Sequence, residues 1–202
     1  MDPEVILNNI ISHVRFLYEL KVTESLSYHN LEHTQQVVSR CTEISNHYQL
    51  DDEQSFLLQA AAWFHDVGHL YGFTKGHEEV SALKMIDFLF NSGYILNTSV
   101  LKTIEAAIMA TSLYRKPVTF IEKIICDADT YHFGTPQFKV TDQLMRKEME
   151  LRLHKKFPHW YQDTLTLLKA HQFHTTYCQE KLNEGKKANI AYIEALTIQM
   201  DS

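Results

Sequence analysis

The chain has 202 residues, 45% hydrophobic and 22% charged, which excludes a disordered chain and supplies a full hydrophobic core without disulfide or metal staples. Its 19 Lys and Arg against 25 Asp and Glu give a net charge of −6, which argues against bulk nucleic-acid binding, because that needs a basic face. The 6 Gly and 4 Pro are few, which argues against a turn-rich all-β chain and for long helices.

Apolar residues recur at helical spacing along almost the whole chain. Pro3 opens a first helix whose stripe runs through Val5, Ile6, Ile10, Ile11, Val14, Leu17 and Leu20. Leu31, Val37, Val38, Cys41 and Ile44 mark a second. Asp51 and Asp52 sit at the N-cap of a third, which carries Phe56, Leu57, Ala60, Ala61 and Phe64. That helix is apolar nearly all round, so it is expected at the centre of the fold. Gly68 and Gly72 follow it. A fourth helix is expected from about His77 to Phe90, ended by Asn91-Ser92-Gly93, and a fifth from Thr98 or Ser99 to about Ala110. Pro117 opens a sixth that reaches about Ala128. After Gly134-Thr135-Pro136, further helices are expected over roughly 137–155, 158–172 and 175–199. No segment reads as a strand pair, so the expected fold class is all-α.

No uncharged apolar run is long enough for a transmembrane helix, and MDPEVILNN lacks the basic start of a signal peptide. Cys41, Cys126 and Cys178 are odd in number and form no C-x-x-C pair, so reduced thiols in a cytoplasmic protein are expected.

The 12 His stand out. Two segments carry them at i,i+4: His29 and His33 in Tyr28-His29-Asn30-Leu31-Glu32-His33, and His65 and His69 in His65-Asp66-Val67-Gly68-His69. His65 and Asp66 end the most apolar helix, where a carboxylate is costly unless paired or bound to a cation. Asp127 repeats that situation after Ile124-Ile125-Cys126, while Asp129 reads as a turn or capping residue. Two carboxylates and two imidazoles drawn from three helices make a mixed N/O site. Such a site suits a divalent Fe, Mn, Zn, Ni or Mg ion, and the ion makes water nucleophilic at neutral pH.

His33, His65-Asp66 and Asp127 follow the H…HD…D order of the HD superfamily of metal-dependent phosphohydrolases. YHNLEHTQQVV and HDVGH resemble the YHNxxH and HDxxH segments of eukaryotic cyclic-nucleotide phosphodiesterases. The segment at His77-Glu78-Glu79, Ile108 to Thr111, DADTYHFG and KKANIAYIEAL resemble a bacterial branch of predicted HD phosphohydrolases. The resemblance covers about residues 25–135 most closely. It implies one HD-type domain over 1–202, with a core of about five helices at 25–135 and C-terminal helices at 136–202 packed on it.

It further implies that His33, His65, Asp66 and Asp127 bind one metal tightly and that Asp66 bridges to any second ion. His29 would protonate the leaving oxygen, and His69 would orient a metal-bound water. The implied substrate is a small phosphorylated molecule, a nucleotide by preference, hydrolysed as a phosphomonoester or phosphodiester. A non-catalytic sensor that binds a nucleotide and metal is the alternative. A di-iron oxygenase on the same fold is disfavoured: it needs two further His, and only His77 is a candidate. Glu78 and Glu79 favour the N-terminal end of a helix dipole, with a role at the site as the alternative. Arg115 and Lys116 are read as a solvated pair, with a phosphate contact as the alternative. The run Arg146 to Glu150 is read as a solvated helix face, and His154, His159, His171 and His174 as structural or exposed.

Overall fold

The computed structural model describes residues 2–21, 24–113 and 115–200, the side chains of 199 and 200 excepted. Its regular elements are all helical: α1 Pro3–Leu20, α2 Leu31–Tyr48, α3 Asp52–Phe64, α4 His77–Asn91, α5 Thr98–Ala110, α6 Phe120–Asp129, α7 Phe138–Leu153, α8 Trp160–Ala170 and α9 Thr176–Met200. Two short 3-10 turns, Val67–Tyr71 and Tyr131–Gly134, follow α3 and α6. The all-α expectation and its element order hold. Among the described residues no helix is long and apolar enough to cross a membrane.

The chain forms two compact units, one through Asp129 and one from Thr130. In the first unit α3 is the central element, packed against α1, α2, α5 and α6. Its entire apolar run is buried, from Phe56 to Leu58 and from Ala60 to Phe64. Fully burying a side chain such as Leu58 contributes about 1.5–3 kcal/mol. Around α3, Ile10, Val14, Cys41, Ile44, Met85, Ile104, Ile108, Ile124 and Ile125 complete the core. Cys41, Cys126 and Cys178 are all thiols.

Side-chain caps set the starts. Asp2 accepts from the Glu4 N–H at 2.9 Å ahead of Pro3, and Asp51 accepts from Gln54 N–H at 2.8 Å. The sixth helix starts at Phe120 rather than at Pro117. Thr119 and Glu122 form a reciprocal box there: Glu122 N–H donates to Thr119 Oγ1 at 3.3 Å, and Thr119 Oγ1 donates to Glu122 Oε1 at 2.9 Å.

In the second unit α9 packs on α8 and on the 3-10 turn at Tyr131–Gly134. Asp142 of α7 accepts from Trp160 Nε1 at 2.9 Å and from Thr164 Oγ1 at 3.0 Å, tying α7 to α8. The charge run on α7 is not all solvated. Glu148 is fully buried and accepts from Arg152 at 3.0 Å, one turn on, because a carboxylate leaves water only with a partner.

Candidate metal centre

Three local decisions bring the donors together. Asn30 caps α2: its Oδ1 accepts from the His33 N–H at 3.0 Å and its own backbone is extended. That fixes His33 in the first turn. Phe64 ends α3, and Asp66 then takes φ −107°, ψ 3°, the sparsely populated bridge region. The turn delivers His65 and Asp66 from the buried core to one point. Finally, Asp129 is the last residue of α6.

The His33 Nε2 lies 3.2 Å from Asp66 Oδ2 and 3.1 Å from Asp129 Oδ1. The His65 Nε2 lies 3.2 Å and 3.7 Å from the same two oxygens. Nδ1 of His65 donates to the Ala62 carbonyl at 2.7 Å, which leaves the Nε2 lone pair facing the carboxylates. His33, His65 and Asp66 are all buried. Yet His33 Nε2, His65 Nε2 and Asp66 Oδ2 make no hydrogen bond of acceptable geometry. Buried polar atoms are normally hydrogen-bonded, so three such atoms converging on one point are a donor set that fits a cation. The spacing agrees. Donors about 2.1 Å from one ion stand about 3.0–3.4 Å from each other at tetrahedral or octahedral angles.

Electrostatics point the same way. Burial opposes charge on His33, but the Asp129 and Asp66 carboxylates outweigh it and push its pKa up to about 9. His65 is likewise raised against its burial, chiefly by Asp66. Burial would raise Asp66 and Asp129, but the imidazoles hold both carboxyls well below the usual range.

The α6 carboxylate that lies against His33 and His65 is Asp129, two residues after the expected Asp127. Two positions along an α-helix are about 200° of rotation, so the two aspartates face nearly opposite ways. Ile121, Ile124, Ile125 and Ala128 are buried and set the azimuth of α6. That azimuth turns Asp129 to the imidazoles, and Asp127 is fully buried. The sequence offers both carboxylates of DAD, and only the packing of α6 chooses.

The other oxygen of Asp66 faces a second group of imidazoles. Oδ1 lies 3.5 Å from His77 Nε2 and 3.8 Å from His69 Nε2. The rings of His29, His69 and His77 form a stack, with centroids 3.8 Å apart for His29 and His69 and 3.9 Å for His69 and His77. His29, Asp66 and His69 each offer a donor within 4.8 Å of the others, as do His33, His65 and Asp66. His29 does not reach the site on an extension of α2, since Asn30 is the cap and His29 precedes it in a bend. Stacking on His69 places it instead.

His77 and Glu78 belong to this arrangement more firmly than the sequence reading allows. Glu78 is buried with Oε2 3.6 Å from His77 Nδ1, while Glu79 is exposed. Gly68 makes the approach possible: a Cβ there would stand 2.1 Å from the His77 carbonyl oxygen. A glycine between the two His of HDVGH was the available signal. Arg115 is exposed, with its guanidinium 4.0 Å from exposed Glu79, and Lys116 is exposed.

The family model for the HD domain matches residues 30–134, just over half of the chain. No curated protein matches it. The crystal structure of a predicted HD superfamily hydrolase from an uncultured Thermotogales bacterium is similar in fold. Its TM-score is 0.60 at 18% identity, over 98% of this chain and 99% of that one. The donor cluster is of a kind that could hold a divalent metal ion. From its α2 histidine to the aspartate that closes α6, the chain belongs to the HD-domain family.

Proposed function

We propose that this protein is a metal-dependent phosphohydrolase whose ligands are His33, His65, Asp66 and Asp129. The observation that carries the reading is the trio of buried donor atoms with no hydrogen bond, His33 Nε2, His65 Nε2 and Asp66 Oδ2. A bound divalent cation makes water nucleophilic near neutral pH and screens charge on phosphoryl oxygens. Two neutral imidazoles and two carboxylates suit Fe, Mn, Zn, Ni or Mg.

The chain's own residues supply the rest. Asp66 presents Oδ2 to His33 and His65 and Oδ1 to His69 and His77, so one carboxylate holds the centre and orients the neighbouring imidazoles. His69 is in place to align the attacking water. His29, half-buried at the edge of the stack, is the group placed to donate a proton to the leaving oxygen.

The nucleotide substrate rests on the likeness of YHNLEH to the cyclic-nucleotide phosphodiesterase segment. The test is to strip the protein of metal and add back Mn, Fe, Zn, Ni or Mg singly. Each form is then assayed on nucleoside monophosphates, cyclic nucleotides, dinucleotides and simple phosphate esters. Metal-dependent hydrolysis of at least one phosphate ester is expected. A nucleotide that raises the melting temperature yet survives long incubation with every metal form would favour the sensor.

A further inference from the structure

We propose that Arg115 binds a phosphate oxygen of the substrate, and that Glu79 holds the guanidinium until the phosphate replaces it. The inference rests on the phosphohydrolase reading above and adds a substrate-binding residue to it.

The segment that ends at Arg115 joins two sides of the metal centre, all within the first unit. At its start, the carbonyl of Ala110, the last residue of α5, accepts from Cys126 Sγ at 3.0 Å. Cys126 stands three residues before Asp129, so the two are neighbours on the surface of α6. At its end, Arg115 Nη2 lies 4.0 Å from Glu79 Oε1. Glu79 sits in the first turn of α4, two residues after His77, whose Nε2 lies 3.5 Å from Asp66 Oδ1. The other oxygen of Glu79 is 3.4 Å from where a Cβ on Gly76 would stand, so the carboxylate folds back over the residue ahead of His77. A backbone turn fixes the arginine at this point: its N–H donates to the Ser112 carbonyl at 2.9 Å. Arg115 thus belongs to the rim that runs from the end of α6 to the start of α4.

Charge gives the reason for a cation there. The carboxylates of Asp66 and Asp129 offset one divalent ion at most, and Glu78 and Glu79 add two further carboxylates beside His77. A phosphate ester brings its own negative charge to this rim, and like charges repel. A guanidinium on the same rim opposes that repulsion, and its planar fork matches two phosphate oxygens. Glu79 competes for it only weakly. The two side chains are 54% and 57% exposed, and their separation stands at the outer limit of an ion pair. Exposed pairs of that kind add little stability, so a phosphate takes the guanidinium from Glu79 at little cost.

The test uses Mn(II)-loaded protein and two probes, inorganic phosphate and pyrophosphate. Their binding is measured by calorimetry, alongside KM and kcat on an ester that the protein hydrolyses. Arg115→Gln should weaken binding of at least one probe about 10- to 100-fold, the size of a lost charge-assisted hydrogen bond. KM should rise more than kcat falls, with metal content and melting temperature at wild type. A loss on both probes assigns the guanidinium to the phosphate at the metal, and a loss on pyrophosphate alone assigns it to a second phosphate of the substrate. Arg115→Lys, which keeps the charge without the fork, should recover part of the loss. Glu79→Gln should tighten binding by up to about fivefold where Arg115 is present, and by less in Arg115→Gln. Wild-type affinity for both probes in Arg115→Gln would overturn the assignment and leave the hydrolase standing. Loss of metal together with loss of binding would also overturn it, since Arg115 would then support the centre rather than touch substrate. A wild-type protein that hydrolyses no phosphate ester with any metal, yet binds phosphate through Arg115, would overturn the hydrolase and leave this site. One that binds neither probe would overturn the site itself.

Discussion

His33 Nε2 and Asp129 Oδ1 lie 3.1 Å apart, which joins the first turn of α2 to the last turn of α6. This contact separates two aspartates that the sequence presents side by side. Asp129→Asn keeps the shape but weakens the anionic ligand. It should cost metal affinity more than the roughly 10- to 100-fold typical of outer partners. Asp127→Asn should keep its metal. Affinity measured by chelator competition checks both, and the opposite ranking would return the ligand role to Asp127.

The same contacts set a pH dependence. The metal-free His33 pKa is raised to about 9, and a metal must displace that proton. Divalent-metal affinity should therefore climb as pH rises from 6 toward 9 and level off above. The metal-free protein should behave in the opposite sense. A raised imidazole pKa gives stability that is complete below about 6.5 and lost as pH rises through about 9. Thermal melts of stripped protein from pH 6 to 10 should fall across that window, and His33→Gln should flatten the fall. An unchanged wild-type slope in His33→Gln would contradict this assignment.

His29 distinguishes an acid from a ligand. A general acid contributes about 10²- to 10⁴-fold, and most where the leaving group is poor. His29→Ala should retain its metal and lose far more activity on a nucleotide, whose ribose alkoxide leaves badly, than on a p-nitrophenyl ester. His33→Ala should lose both activities together with the metal. Equal loss on both substrates in His29→Ala would make His29 structural.

Much of this arrangement was legible in the sequence because its causes are local. Caps at Asp51 and breaks at Gly134-Thr135-Pro136 act within a few residues, and the apolar run of α3 announces its own burial. The types and order of His33, His65 and Asp66 were legible for the same reason. What was not legible depends on azimuth and on close approach. Asp127 and Asp129 differ only in which way α6 is rotated, and core side chains from other helices decide that. His77, with Glu78 beside its other ring nitrogen, reaches Asp66 only because Gly68 lets two backbones touch. Glu148 looked solvated because its neighbours are charged, yet its face of α7 is buried.

Gly68 itself is testable. A Cβ 2.1 Å from the His77 carbonyl oxygen forces the backbones apart, and neither is a flexible side-chain end. Gly68→Ala should cost about 1–3 kcal/mol, the usual range for overpacking. For a chain of this length that lowers the melting temperature by several degrees. Calorimetry checks it, and a melting temperature equal to wild type would mean that the turn after α3 absorbs the methyl group.

The central claim is that His33, His65, Asp66 and Asp129 form one metal centre, and metal content tests it most directly. Elemental analysis of purified wild-type protein, after dialysis against metal-free buffer, should find about one tightly bound transition-metal ion per chain. Asp66→Ala, which removes the carboxylate facing both imidazoles, should retain none under the same dialysis. Wild-type protein that carries no metal and takes up none from Mn, Fe, Zn, Ni or Co solutions would contradict the account.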